Sequence, residues 1–123
     1  MDLRFRTSAA EPGSVIQVCG LGSRAVPARV RIYLISTRRA QILGDARGGV
    51  RDPRRFLGEP VFELDPLRRS VEAMAVRVPN VPAGRYTLAY WCPSCGRLLG
   101  AIWPNRSQGD VRGYVLLRIV HRP

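Results

Sequence analysis

The sequence predicts an all-β fold, an antiparallel β-sandwich of about seven strands that forms one domain over residues 1–123. Three observations predict it. Several short segments alternate apolar and polar residues with a period of two, which is typical of strands with one buried face. Ten prolines and twelve glycines are spread along the chain, so turn signals recur between these segments. Finally, no segment carries the apolar spacing of a helix longer than a turn or two.

Each strand is placed by its own alternation. The predicted strands cover 3–6, 15–19, 29–35, 61–64, 71–78, 85–92 and 114–120, with a shorter edge strand over 41–44. The side chains expected to face the core are Ile16, Val18, Val30, Ile32, Leu34, Met74, Val76, Val78, Val115, Leu117 and Ile119. Arg29, Arg31 and Tyr33 are expected to face outward, because they alternate with the apolar set of the third strand.

One stretch carries the clearest local signals. The turn Pro82-Ala83-Gly84 is followed by a run in which every second residue is aromatic, apolar or cysteine, and which ends at Cys92. A tyrosine directly after such a turn is typical of a tyrosine corner, in which the hydroxyl bonds to backbone a few residues upstream. We therefore expect Tyr86 to make this bond and to help define the fold.

Two loops interrupt the strands, an arginine-rich loop near 45–58 and an irregular loop near 93–113. Loops of this length in compact domains are commonly functional. Arginine and aromatic side chains are frequent in protein interfaces, so both loops supply candidate surface contacts. The candidates in the loops are Arg47, Arg51, Arg54, Arg55 and Trp103, and Trp91 joins them at the end of the strand beside the cysteines. Packing of the two tryptophans against the core is the alternative.

The formal net charge is +11, and all twenty basic residues are arginines. A strongly positive charge favours an anionic partner. Because the arginines are dispersed along the chain, we expect an anionic surface polymer or another protein rather than nucleic acid. The chain has no apolar run long enough to span a bilayer and no signal peptide at its start. Membrane contact is therefore expected only through a segment outside this chain.

Three cysteines allow several arrangements. Strands that run in the same direction bring Cys19 and Cys92 to one end of a sandwich, which favours a disulfide from Cys19 to Cys92 or to Cys95. Inward-facing Ile16 and Val18 argue against it, since they turn Cys19 outward. The alternatives are a Cys92–Cys95 bridge across the Pro-Ser turn, free thiols or a bound metal.

The segment Cys92-Pro93-Ser94-Cys95-Gly96 also has the pattern of a zinc knuckle, but zinc requires four ligands. Completing the set would need Cys19 and His121, and His121 is expected about 20 Å from Cys92, at the opposite end of the sandwich. The same separation argues against a Cys–His catalytic pair. We therefore predict no catalytic, cofactor-binding or metal-binding residue.

Two segments resemble a known family. Residues 12–20, Pro-Gly-Ser-Val-Ile-Gln-Val-Cys-Gly, and residues 78–88, with Pro79, Pro82, Gly84 and Tyr86, are similar to strands of immunoglobulin-like domains in bacterial surface proteins. The ending Tyr90-Trp91-Cys92-Pro93-Ser94-Cys95 resembles secreted or membrane-tethered actinobacterial proteins of unknown function. The third strand lacks the tryptophan of antibody-type domains.

This resemblance implies a non-enzymatic, extracellular or cell-surface module with a structural or interaction role, whose signal and anchor segments lie outside this chain. Two further functions stay open at this point. One is a single-knuckle zinc-binding or nucleic-acid-binding domain that uses the arginines, and the other is a thiol-redox protein that uses the cysteine pair.

Overall fold

A computed structural model describes residues 2–21, 29–45, 57–64, 70–95, 97–101 and 116–122. Within these ranges the fold is mostly β, as the sequence predicts, with nine strands instead of about seven and with one α-helix. The elements are β1 (Asp2–Phe5), β2 (Ala9–Ala10), β3 (Val15–Leu21), β4 (Val30–Ser36), α1 (Thr37–Asp45), β5 (Phe62–Leu64), β6 (Ser70–Arg77), β7 (Gly84–Cys92), β8 (Arg97–Ala101) and β9 (Leu117–Ile119). A 3-10 helix over Pro93–Cys95 follows β7 directly.

The described strands form two sheets. The smaller sheet is antiparallel with the order β1-β3-β6, and the larger one has the order β2-β9-β7-β4-β5 with β8 also paired to β7. One edge of β7 pairs with β4, while the other edge pairs with β9 near its start and with β8 near its end. The larger sheet is mixed, because β2 runs parallel to β9, and it curls into a half-barrel. Strand β7 therefore lies at its centre.

The main core lies between the two sheets and uses the predicted inward residues. Buried side chains of the smaller sheet meet buried side chains of the larger one in a single cluster, which holds Leu3, Phe5, Ile16, Val18, Val30, Ile32, Leu64, Val76, Val78, Tyr86, Leu88, Leu117 and Ile119. The partly buried Leu34, Met74 and Tyr90 pack against it. The predicted core is thus confirmed for these positions, while Val115 lies outside the described residues.

The outer face of the larger sheet is covered as well, which the sequence did not lead us to expect. Tyr33 was predicted to face solvent, but it is only 1% exposed. It belongs to a second buried cluster that consists of Tyr33, Ile35, Ala40, Leu57, Ala89 and Trp91. The covering element includes helix α1, which places Ala40 against the sheet. The prediction of which β4 side chains share a face was correct. The prediction that Tyr33 is exposed to solvent was wrong.

Helix α1 replaces the edge strand predicted over 41–44. The Ser36 hydroxyl accepts a hydrogen bond from the backbone N–H of Arg39 at 3.2 Å, which is the bond of a helix N-cap. The residues that follow Thr37 include Arg38, Arg39 and Ala40, all with high helix propensity. In the described ranges, no helix has both the length and the apolar composition that crossing a membrane requires.

Part of the predicted irregular loop near 93–113 is also a strand. Residues Arg97–Ala101 form β8 and pair antiparallel with the end of β7, with a register shift between Tyr90 and Trp91. Residues 102–113, like most of the arginine-rich loop near 45–58, lie outside the described residues.

Candidate functional site

Tyr86 forms the predicted tyrosine corner. Its hydroxyl donates a hydrogen bond to the Pro82 carbonyl oxygen at 2.6 Å, and its ring is buried in the main core. Burial raises the pKa of this hydroxyl above its usual value, and the nearby positive charge of Arg39 offsets part of the rise. The side chain is therefore a neutral donor at physiological pH, and it ties the start of β7 to the preceding turn.

A cleft of about 590 Å³ opens beside this corner. Its volume lies within the range of typical small-molecule sites, roughly 300–1,000 Å³. Three short segments form it: the end of β4 with the first residues of α1, residues 57–59, and the turn that leads into β7. Much of the lining is apolar, and the apolar side chains are Leu34, Ile35, Leu57, Pro79, Val81, Pro82, Ala83 and Tyr86.

The charged side chains that line the cleft are mostly positive. Arg38, Arg39 and Arg85 face a single acidic residue, Glu59. Arg38, Arg85 and Glu59 are all exposed. Among the residues that the structure describes, neither Arg38 nor Arg85 forms an ion pair. An anion bound here would therefore find the guanidinium groups of Arg38 and Arg85, which no carboxylate of the described residues neutralises.

Local structure explains how these arginines meet. Arg38 and Arg39 lie in the first turn of α1, directly after the capping Ser36. Arg85 is the second residue of β7, and alternation places it on the same face as Ala89 and Trp91, the face that the helix covers. The cleft therefore lies where the first turn of α1 and the start of β7 do not cover that face of the sheet.

Most of the predicted surface contacts cannot be assigned to this site. Arg47, Arg51, Arg54, Arg55 and Trp103 lie outside the described residues. Trp91 was a wrong choice for a surface contact, because it is only 8% exposed and packs in the second cluster. A side chain buried to this extent supports the sheet and is not available to a partner.

Arg31 shields Trp91 further. Its guanidinium carbon lies 5.8 Å from the centre of the Trp91 ring, within the range of a cation–π interaction. Its Nε lies 3.3 Å from the Glu63 Oε1, and register places Glu63, Arg31 and Trp91 opposite one another on β5, β4 and β7. This cross-strand trio covers the end of β7 that lies away from the cleft.

The cysteines differ from the favoured arrangement. Cys19 is a free thiol and half-buried, so the favoured bridge from Cys19 to Cys92 or Cys95 is absent. The alternation of side chains along β3 explains why Cys19 is free, since Ile16 and Val18 face the core and Cys19 points away from the core. Cys92 is fully buried, is disulfide-bonded, and has its sulfur 3.6 Å from the Ser94 hydroxyl. Of the three predicted pairings, only Cys92–Cys95 agrees with a free Cys19 and a disulfide-bonded Cys92. The Cys95 side chain lies outside the described residues.

His121 lies at the cleft end of the molecule, as the strand directions predict. Strand β9 pairs Ile119 with Gly84, and the His121 Nε2 lies 2.8 Å from the Val81 carbonyl oxygen. Cys92 is at the other end of β7, eight residues from Gly84, or about 27 Å at the rise of an extended strand. His121 and Cys92 therefore cannot share a metal ion or a proton.

Sequence reasoning missed the cleft. Arg38, Arg39 and Arg85 were not distinguished from the other dispersed arginines. The available signal was the Ser36–Thr37 pair before a run of helix-forming residues, which marks a helix start. No sequence signal brings that helix start close to Arg85, because the contact depends on how α1 packs on the sheet.

No protein-family model matches this chain, and comparisons with curated proteins and with solved structures found no significant match.

Proposed function

We propose that this chain is a non-enzymatic interaction module that binds an anionic partner at the cleft beside the tyrosine corner. The observation that carries this proposal is the cleft itself, in which three arginines and one glutamate border an apolar cavity of about 590 Å³. Guanidinium groups bind carboxylate and phosphate groups with two parallel hydrogen bonds. In a partly desolvated cleft such bonds are stronger than on an open surface.

The fold suits a binding role. Tyr86 anchors the turn before β7, and the Ser36 cap fixes the start of α1, so both walls of the cleft are attached to hydrogen-bonded elements. A site whose backbone is already fixed loses less conformational entropy when it binds. The two packed sheets also support the finer proposal that the domain is an immunoglobulin-like sandwich.

We further propose that the module works outside the cytoplasm, as part of a bacterial surface protein. The resemblance of residues 12–20 and 78–88 to surface domains supports this proposal. The disulfide at Cys92 also supports it, since such bonds persist mainly in oxidising compartments. An anionic surface polymer or an acidic protein would be the partner there.

Thiol counting by mass spectrometry tests the proposed compartment against the alternatives. With one disulfide, alkylation of the unreduced protein labels one of the three cysteines. Three labelled cysteines together with stoichiometric zinc would instead favour the zinc-binding alternative. A disulfide that exchanges rapidly with glutathione would favour the thiol-redox alternative.

Retention on immobilised poly-L-glutamate tests the proposed binding site. The double variant Arg38→Gln/Arg85→Gln should elute at clearly lower salt than the natural chain, because it loses both exposed cleft arginines. The matched control Arg6→Gln/Arg77→Gln removes the same charge at exposed positions outside the cleft lining. Equal loss of retention in both variants would show that only net charge matters and would refute the cleft as the site.

A further inference from the structure

The cleft combines arginines with apolar side chains in one lining. Arg38 and Arg39 come from the first turn of α1 and Arg85 from the start of β7. Pro79, Val81 and Pro82 come from the turn before β7. Leu57 and the turn before β7 therefore contribute apolar surface, while the first turn of α1 and the start of β7 contribute the positive charge. This combination determines what kind of ligand can use all of the cleft.

We propose that the cleft binds an amphipathic carboxylate, that is, a single carboxylate group carried on an alkyl chain or a ring. This inference rests on the proposed function, since it names the chemical class that the anion-binding cleft takes. The carboxylate lies between the guanidinium groups of Arg38 and Arg85, and the apolar part lies on the wall formed by Val81, Pro82 and Leu57.

The chemistry of the lining favours this class over a small inorganic anion. Arginine matches a carboxylate with two parallel donors, so Arg38 and Arg85 suffice for one head group. An inorganic anion would leave the wall of Val81 and Pro82 without a partner. An apolar chain removes that wall from water, and each buried methylene improves affinity about fourfold.

The dimensions favour it over a run of charges along a polymer. A polyanion binds along a track of repeated cationic groups, whereas the arginines here line one cavity of about 590 Å³. The Tyr86 hydroxyl is already bonded to the Pro82 carbonyl at 2.6 Å, so the tyrosine contributes its ring to the wall.

Titration of the full chain with butanoate, octanoate and octyltrimethylammonium tests the proposal. Calorimetry gives the affinities, and NMR chemical shifts of Leu57, Val81 and Tyr86 locate the site. Octanoate should bind at least about tenfold more tightly than butanoate, because four additional methylenes reach the apolar wall. Octyltrimethylammonium has the same chain with the opposite charge and should not bind, because the arginines repel it.

The variants separate the head group from the chain. Arg38→Gln/Arg85→Gln should weaken octanoate binding by about tenfold or more, and the control Arg6→Gln/Arg77→Gln should leave it within about twofold of the natural chain. Thermal unfolding checks that all variants fold. The single variants Arg38→Gln and Arg85→Gln, which should each lose part of the affinity, serve if the double variant does not fold.

Each other outcome overturns the inference. Equal binding of butanoate and octanoate, with poly-L-glutamate still distinguishing the cleft variants, would remove the amphipathic ligand and leave the proposed function standing. Tight binding of octyltrimethylammonium would show a purely apolar site. If neither the carboxylates nor poly-L-glutamate distinguishes the cleft variants from the control, both proposals fail.

Discussion

The two ends of strand β7 differ in what surrounds them. At its start, Gly84 and Arg85 are exposed beside the cleft, whereas at its end Trp91 and Cys92 are buried. The two ends lie about 27 Å apart along an extended strand of nine residues. Strand β7 thus contributes core packing at its end and the proposed binding surface at its start. Substitutions at the two ends should therefore have separable effects on stability and on binding.

The largest expected effect on stability is at the buried end. Trp91→Ala should lower the free energy of unfolding by about 3–5 kcal/mol, because it leaves a cavity in the cluster that joins the sheet to α1. Urea denaturation measures the change. Trp91→Phe keeps most of the ring volume and should lose clearly less. A loss below about 1 kcal/mol for Trp91→Ala would contradict the burial described for this end.

At the cleft end, the tyrosine corner should have a smaller effect. Tyr86→Phe removes the hydrogen bond to the Pro82 carbonyl and should cost about 0.5–1.5 kcal/mol. The cost is limited because Pro82 is exposed, so water can replace the hydroxyl. Tyr90→Phe is the matched control, since the Tyr90 hydroxyl makes no hydrogen bond within the described part of the chain. Equal losses in the two variants would mean that the corner bond adds nothing.

The ion pair that flanks Trp91 should have a smaller effect still. Glu63→Gln removes the partner of Arg29 and Arg31 and should cost about 0.2–1 kcal/mol at low salt, because all three side chains are partly exposed. The loss should shrink as salt is added. Glu59→Gln serves as the control, because among the described residues Glu59 forms no ion pair. A loss that salt does not change would contradict an electrostatic origin.

Alkaline pH should weaken the fold without any substitution. Burial raises the pKa of Tyr86 and of Tyr90 above the ordinary value of 10.0. The folded chain therefore holds these protons more tightly than the unfolded chain does, so this contribution is complete below pH 10 and is lost as the pH rises through the folded values. The free energy of unfolding, measured by urea denaturation between about pH 9 and 11, should decline. The decline should be shallower in Tyr86→Phe, and an unchanged slope would contradict the assignment.

Local sequence patterns predicted the core positions of several strands and the tyrosine corner. Alternation identified Ile16, Val18, Val76 and Val78 as core residues, because a strand that has one buried face must repeat with a period of two. The tyrosine corner was equally predictable, since its hydrogen bond joins Tyr86 to Pro82 over only four residues. Both features depend on residues that are close together in the chain.

Other features depend on contacts between distant segments. Periodicity showed that Tyr33 faces away from the main core, but only the packing of α1 decided that this face is buried. The strand β8 is short, and its pairing with β7 gives it its place in the sheet. For Cys19, the alternation argument was correct, and the bridge favoured by strand direction does not form, because a shared direction does not decide to which side of the sheet a side chain points.

The candidate site also combines features that depend on nearby residues with features that depend on contacts between distant segments. The sequence by itself determined the strand alternation, the turn before β7 and the abundance of arginine, because these are local or compositional properties. Only the tertiary structure decided that Arg38 and Arg85, 47 positions apart in the chain, border one cleft. The physical reason is that the cleft is the space left between packed elements, and its shape depends on how helix α1 and the turn before β7 lie on the same sheet.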